Sequence, residues 1–139
     1  MNHVISDFMV TTPVTIPKEM CLQDVMNTMD YRHLSHLIVV NEDEDMVGVI
    51  SKEDLLKRTR RLLIETTGKT FSSMELNSIE AGDIMSKDIT SVAPDDPVDY
   101  AVELLLKKQF HCLPVVDNGK PIGIVTFFDL LKGTYPITQ

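Results

Sequence analysis

Apolar residues recur with a helical period in two separate stretches of the chain. Four apolar positions share the spacing i, i+3, i+4, i+7 in each stretch: Leu22, Val25, Met26 and Met29 in the first, and Val98, Ala101, Val102 and Leu105 in the second. This period predicts one amphipathic helix in each stretch, with its apolar side buried.

Two short apolar segments with a polar turn between them follow each predicted helix. In the first copy, Val39-Val40 and the segment 47–50 flank an acidic turn. In the second copy, Val115-Val116 and the segment 123–125 flank a turn that contains Asn118-Gly119. Each arrangement predicts a β-hairpin, and Asn-Gly strengthens the second prediction because it accepts positive φ.

The pattern occurs twice because the chain aligns with itself. At an offset of 76 residues, Asp7 meets Asp83 and Met9 meets Met85. After the hairpin the offset is 75, because the second turn is one residue shorter. Each copy reads strand, helix, strand, strand, helix. A unit of roughly 55 residues cannot bury both faces of its sheet, so the two copies should pack on each other.

The predicted organisation is two β-α-β-β-α repeats of mixed α/β (α+β) class in one compact module. We assign residues 1–58 to the first repeat, 59–79 to a helical linker and 80–139 to the second repeat. The helix that closes the first repeat is predicted to run from Asp54 to Thr67, where Gly68 would end it. The basic run 57–61 on that helix is interpreted as a solvated face.

One stretch occurs in both copies with the same chemistry. It reads glycine, two β-branched residues, a hydroxyl residue, two variable positions, aspartate and Leu-Leu, at 48–56 and again at 123–131. The β-branched pair predicts the end of a strand, and Ser51 or Thr126 can cap the helix that follows. A helix N-terminus favours phosphate, and the carboxylate of Asp54 or Asp129 suits a pair of sugar hydroxyls.

The same spacing has a second interpretation. Ser51 to Asp54 and Thr126 to Asp129 also fit a capping box, in which the acid only accepts the backbone N–H of its own N-cap. The repetition of the whole stretch favours a ligand site, but the residues alone leave both interpretations open.

Composition limits the function classes. The 139 residues carry 13 basic and 21 acidic side chains, a net charge of −8, which argues against nucleic acid as a general partner. The apolar runs are too short to cross a membrane and the first residues lack a signal-peptide pattern, so we expect a cytoplasmic protein. Cys21 and Cys112 are interpreted as small buried hydrophobic residues. His33 and His36 have no nearby cysteine in the sequence to complete a zinc site.

The repeated pattern closely resembles the CBS domain, and the pair of copies resembles a CBS pair, or Bateman module. The residues that carry the resemblance are Asp7-Phe8-Met9, Asp83-Ile84-Met85, Leu113-Pro114-Val115-Val116-Asp117 and the two repeated stretches with their Leu-Leu pairs. The first copy departs from the pattern with Ile38 in place of Pro114. The resemblance implies a pseudo-twofold relation between the repeats and two clefts between them.

The resemblance also implies that each cleft takes residues from both repeats. One cleft would combine Ser51, Lys52 and Asp54 with Thr90, Val92, Phe110 and His111. The other would combine Thr126 and Asp129 with Val14, Ile16, Leu34 and Ser35. Lys52 and His111 are candidate phosphate partners, although His111 also fits a surface histidine. Phe127-Phe128 replaces Lys52-Glu53 in the second cleft and also fits helix packing or a dimer contact.

Three classes of function are compatible with these residues. By resemblance, the leading hypothesis is a non-catalytic sensor whose regulatory ligand is AMP, ADP or ATP, or else NAD or S-adenosylmethionine, with no obligatory cofactor. Such a module would form a homodimer and regulate another protein chain. The second hypothesis is a ligand-free dimerisation or docking module whose aspartates only cap helices. An enzyme is the third, and the sequence offers no set of nucleophile, base and orienting group for it.

Overall fold

The computed structural model describes residues 3–11, 13–65, 77–108 and 112–134. They divide into two compact units, which we name after the aspartate of the repeated stretch that each contains. The Asp54 unit is Val14–Ile89, and the Asp129 unit combines Met1–Pro13 with Thr90–Gln139. Each unit has a three-stranded sheet and helices, which confirms the mixed α/β class.

Within each repeat the helices and strands follow the predicted order, and a 3₁₀ turn, the short strand Val10–Thr11 and the helix Ala81–Ile84 are additional to the prediction. In chain order they are a 3₁₀ turn (Ile5–Asp7), β1 (Val10–Thr11), β2 (Thr15–Pro17), α1 (Leu22–Arg32), β3 (His36–Val40), β4 (Met46–Ser51), α2 (Lys52–Glu65), α3 (Ala81–Ile84), α4 (Val98–Lys108), β5 (Cys112–Asp117), β6 (Lys120–Thr126) and α5 (Phe127–Thr134). Helix α2 begins two residues before the predicted start at Asp54. Thr67 and Gly68, where the sequence predicted its end, lie outside the described residues.

The two sheets have related topologies. In the Asp54 unit the strand order is β2-β3-β4, with β2 parallel and β4 antiparallel to β3. In the Asp129 unit the order is β1-β6-β5, and both pairings are antiparallel. The strand predicted at the start of the second repeat is reduced to a single parallel bridge between Val92 and Val115.

The start of the first repeat packs in the Asp129 unit, which contains the rest of the second repeat. The start of the second repeat packs in the Asp54 unit, which contains the rest of the first repeat. Strand β1 precedes the first repeat's helix but pairs with β6 of the second repeat. Ser86, near the start of the second repeat, exchanges two backbone hydrogen bonds with Val49 of β4, at 2.9 and 3.2 Å. Each compact unit therefore contains residues from both repeats.

The glycine of each repeated stretch is required by this exchange. A Cβ atom at Gly48 would lie 2.7 Å from Cγ of Met85, and one at Gly123 would lie 2.7 Å from Sδ of Met9. At Gly123 it would also lie 3.0 Å from the carbonyl oxygen of Val10. These distances are shorter than ordinary van der Waals contacts. The methionine of each Asp-x-Met start therefore occupies the space that a side chain on the glycine would need.

Each unit has its own apolar core, and the predicted helix stripes face these cores. Three members of each stripe are buried: Leu22, Val25 and Met29 of α1, and Val98, Ala101 and Leu105 of α4. The fourth member, Met26 or Val102, is partly buried beside them. In the second hairpin, Asn118 and Gly119 have φ values of 52° and 82°. The structure thus confirms the predicted stripes and the positive φ of Asn-Gly.

We expect Gly48→Ala and Gly123→Ala each to destabilise the fold by about 1–3 kcal/mol, because the added methyl group overpacks a filled site. The unfolding free energy from urea denaturation measures this effect. Gly82→Ala is the matched control, because its Cβ would meet Lys18 atoms only at 3.4 and 3.5 Å. Equal stability changes in all three variants would contradict the proposed role of the methionines.

Cys112 should resist alkylation while the protein is folded. It is 8% exposed, and burial raises the pKa of its thiol to about 11 because the thiolate loses hydration. At pH 8 the folded protein therefore keeps Cys112 protonated, whereas unfolding returns it to an ordinary pKa. Iodoacetamide labelling with and without urea, followed by peptide mass spectrometry, measures this difference. The partly exposed Cys21 provides the internal comparison, and rapid labelling of native Cys112 would contradict the expectation.

Candidate functional site

A reciprocal hydrogen-bonded cap joins β4 to α2 at the first repeated stretch. The backbone N–H of Ser51 donates to Oδ2 of Asp54 at 3.2 Å, and the N–H of Asp54 donates to Oγ of Ser51 at 3.0 Å. Next to this cap, the N–H of Lys52 donates to the carbonyl oxygen of Ser35 at 2.8 Å. The start of α2 is thereby fixed both to its own strand and to the residue before β3.

The second stretch forms the same cap between β6 and α5. The N–H of Thr126 donates to Oδ2 of Asp129 at 2.9 Å, and the N–H of Asp129 donates to Oγ1 of Thr126 at 3.1 Å. The hydroxyl of Thr126 also lies 2.9 Å from Oδ2 of Asp129 and donates to it. Two stretches with the same residue pattern therefore adopt the same local structure.

These caps use one oxygen of each carboxylate. Within the described parts of the chain, Oδ1 of Asp54 and Oδ1 of Asp129 accept no hydrogen bond. The capping interpretation therefore describes how both aspartates are held. It does not use up their acceptor capacity, because an ionised carboxylate has about four lone-pair positions. The cap fixes the side chain and leaves an oxygen available to a ligand.

A crevice of about 220 Å³ lies beside Asp54, within the Asp54 unit. Its walls are formed by the first turns of α2 and by the end of α3, through the residues Asp54, Lys57, Arg58, Asp83 and Ile84. Asp83 and Ile84 come from the start of the second repeat, which the exchange brings into this unit. The crevice thus combines residues of both repeats and carries two acidic and two basic side chains.

Lys57 and Arg58 are the site residues that the sequence analysis missed. They were included in a basic run interpreted as a solvated helix face. The signal that could have found them is their spacing, because residues three and four positions after Asp54 lie on the same side of a helix as Asp54. Asp83 was recognised as a repeat start but not as a neighbour of α2.

Lys52 is not among the residues that line the crevice beside Asp54. It lines a second hollow of about 320 Å³ between α1 and α2, together with apolar side chains such as Met26 and Leu55. Its expected role as a phosphate partner stays a prediction.

The remaining predicted site residues occur in both units. In the Asp54 unit, Ile16 is buried in the core, Val14 and Leu34 pack against it, and Oγ of Ser35 lies 2.9 Å from Nδ1 of His36. In the Asp129 unit, Val92 is buried, whereas Thr90 is partly exposed.

Phe110 and His111 lie outside the described residues. The two predicted combinations take members from both units, so their pairing stays a prediction.

The described residues contain neither a cluster of metal ligands nor a helix that could cross a membrane. Among residues 3–11, 13–65, 77–108 and 112–134, no group of three or more His, Cys, Asp and Glu side chains is placed to hold a metal ion. None of the helices in that part of the chain combines the length and the apolar character needed to cross a membrane.

The chain is similar in sequence to part of a longer, curated protein. The chain is 28% identical over 134 residues to a homoserine O-acetyltransferase from Methanohalobium evestigatum, which covers 95% of this chain. The chain spans only 24% of the length of that relative. The likeness therefore concerns one part of a longer protein.

Two solved structures resemble nearly the whole chain. AcuB from Vibrio cholerae is 25% identical, with a TM-score of 0.79 over 96% of this chain and 91% of that one. CBSX2, solved in complex with AMP, is 27% identical, with a TM-score of 0.76 over 95% of this chain and 96% of that one. The family profile of the CBS domain matches residues 5–61 and 81–134. The chain therefore belongs to the CBS domain family and carries one CBS domain in each of the two matched segments.

Proposed function

We propose that this chain is a non-catalytic, cytoplasmic regulatory module that binds an adenosine-containing ligand beside Asp54 and relays its presence to another protein. The observation that carries the proposal is the capped carboxylate of Asp54, which keeps Oδ1 available at the edge of a crevice. The similarity of the chain to CBSX2, whose structure contains AMP, supports an adenosine ligand.

The chemistry of the crevice suits a ribose. A carboxylate oxygen that is already fixed in position can accept hydrogen bonds from neighbouring hydroxyl groups without losing much side-chain freedom. The positive end of the α2 dipole favours a phosphate on the same ligand. AMP, ADP and ATP carry both groups, and NAD also does. S-adenosylmethionine carries only the ribose.

Regulation would act on a protein domain other than the two repeats. The Methanohalobium relative is about four times longer than the matched region, so in that protein the similar segment accompanies further sequence. A ligand can shift a regulated protein only if it binds two states with different affinity. We propose that ligand binding at the capped aspartate changes how the helices of this chain contact that partner.

The capping bonds also favour a second candidate, a docking module without a ligand. Asp54 and Asp129 both accept the N–H of their own N-cap residue, as a purely structural capping box requires. In that case no adenosine compound should bind. The two candidates therefore predict opposite results in a binding experiment.

We expect Asp54→Ala to weaken AMP or ATP binding by about ten- to a hundred-fold, because one charge-assisted hydrogen bond to the ribose contributes about 1.5–3 kcal/mol. Asp129→Ala should weaken binding less, since the crevice with basic side chains lies beside Asp54. Titration calorimetry of the wild type and both variants measures the dissociation constants.

Asp96→Ala is the matched control for loss of a capping bond. The carboxylate of Asp96 accepts the N–H of Ala93 at 2.8 Å, outside the repeated stretches. The Asp96→Ala variant should lose a similar amount of unfolding free energy, but its affinity for the ligand should be unchanged. Tight nucleotide binding that is unchanged in both site variants would refute the site. If no adenosine compound raises the melting temperature, the docking module is the better explanation, because a ligand at about 100 times its dissociation constant adds about 2.7 kcal/mol.

We further propose that the chain forms a homodimer through its exposed apolar helix residues. Leu56 on α2 is 65% exposed, and Phe128 on α5 is 62% exposed. On α5, Phe127, Phe128 and Leu131 are all exposed within about one turn, and such a cluster of apolar side chains is typical of an interface. The hollow between α1 and α2 lies next to Leu56 and would accept an apolar side chain from a second copy.

Leu56→Lys and Phe128→Lys should each shift the chain from dimer to monomer at micromolar concentration, because a lysine at a buried contact loses hydration. Sedimentation velocity over a concentration series measures the shift. Glu42→Lys, on the exposed turn between β3 and β4, introduces the same residue on a polar surface and should leave the dimer intact. A monomeric wild type would remove this part of the proposal.

A further inference from the structure

Arg58 lines the crevice beside Asp54, and its guanidinium group lacks a partner among the described residues. Nε of Arg58 is buried and has no hydrogen-bond partner in the described part of the chain. Arg58 also forms no ion pair within that part, although Asp54 and Asp83 line the same crevice. A guanidinium N–H that is buried without an acceptor is unfavourable, so the positive charge of Arg58 is uncompensated where the residue lines the crevice.

Lys57 supplies a second positive charge at the same crevice. Its partner within 4.0 Å among the described residues is Glu53, at 3.7 Å on the same helix, and the Lys57 side chain is 73% exposed. Exposed pairs of this kind contribute little to stability. A ligand anion could therefore recruit Lys57 at small cost.

The second repeat does not reproduce this arrangement. At the offset of 75 residues, Lys57 corresponds to Lys132, and Arg58 corresponds to Gly133, which has no side chain to donate a hydrogen bond. Nζ of Lys132 lies 5.8 Å from the ring centre of Phe128, within reach of a cation–π contact. The aspartate and the lysine three positions later are equivalent in the two repeats, but Arg58 has no counterpart in the second repeat.

We infer that Arg58, assisted by Lys57, is an anion subsite that makes the Asp54 site select phosphorylated adenosine ligands, and that the Asp129 site lacks this selectivity. The inference rests on the proposed function and specifies the ligand class of that site. The acidic side chains of the crevice accept hydroxyl groups, and the basic ones pair with phosphate. A ligand with both groups fits this mixture better than free phosphate, which meets two carboxylates, or than a cationic adenosine compound.

The test is calorimetry in an Asp129→Ala background, so that the Asp54 site is measured alone. The probes are adenosine, AMP, ATP and inorganic phosphate. AMP and ATP should bind at least about tenfold more tightly than adenosine, and Arg58→Ala should remove most of that difference while it changes adenosine binding by less than about twofold. Inorganic phosphate should bind far more weakly than AMP.

Arg60→Ala is the matched control, because it removes the same charge from an exposed position on α2 that does not line the crevice. It should leave all four affinities within about twofold of the background protein. This result would show that Arg58 acts by a local contact with the ligand and not through the overall positive charge of α2. Arg58→Lys should keep part of the preference for AMP, since a lysine retains the charge but loses the fork of donors.

The Asp54→Ala variant shows whether a contrary result overturns only the anion subsite or the whole proposed function. If Asp54→Ala weakens adenosine and AMP alike while Arg58→Ala changes neither, the site stands and the anion subsite is wrong. An equal loss of adenosine and AMP binding in Arg58→Ala also contradicts it, as does phosphate binding as tight as that of AMP. Absence of binding by all adenosine compounds would remove the proposed function and this inference together.

Discussion

The reciprocal cap between Ser51 and Asp54 is the interaction on which the candidate site depends. Two hydrogen bonds fix the carboxylate against the main chain at the point where β4 becomes α2. Because one oxygen is held, the direction of the other is also set, and a ligand would meet an oriented acceptor. The same cap determines where the next turn of α2 lies, and it therefore brings Lys57 and Arg58 to the crevice. A residue that stabilises a helix start can thus also serve as a binding group.

The exchange of repeat starts provides the other wall of that crevice. The start of the second repeat is held on the edge of β4 by hydrogen bonds between Ser86 and Val49, and Met85 packs on Gly48. This packing places Asp83 and Ile84 beside α2. The same contact in the Asp129 unit joins Met9 to Gly123. Glycine is needed at both positions because the sulfur-containing side chain and the strand backbone approach more closely than a Cβ allows.

The two repeats carry equivalent aspartates, but the residues around these aspartates differ. Lys52-Glu53 corresponds to Phe127-Phe128, and Arg58 corresponds to Gly133. These changes replace charged side chains by aromatic ones at the start of the helix and remove a guanidinium one turn later. The local caps are unaffected, because they need only the hydroxyl residue and the aspartate. One fold can therefore present two chemically different surfaces beside the same pair of residues.

The sequence by itself determined the repeats, the order of helices and strands, the buried helix stripes and the capped aspartates. All of these depend on local spacing: a period of 3.6, alternation around a turn, and a three-residue interval between cap partners. Only the tertiary structure decided that repeat starts are exchanged between units and that Arg58, Asp83 and Ile84 meet at one crevice. Those contacts join residues that are far apart in the chain. The local spacing of apolar and polar residues does not specify which distant segment pairs with the edge of a strand. The burial of Nε of Arg58, which has no hydrogen-bond partner in the described part of the chain, is likewise a result of tertiary packing.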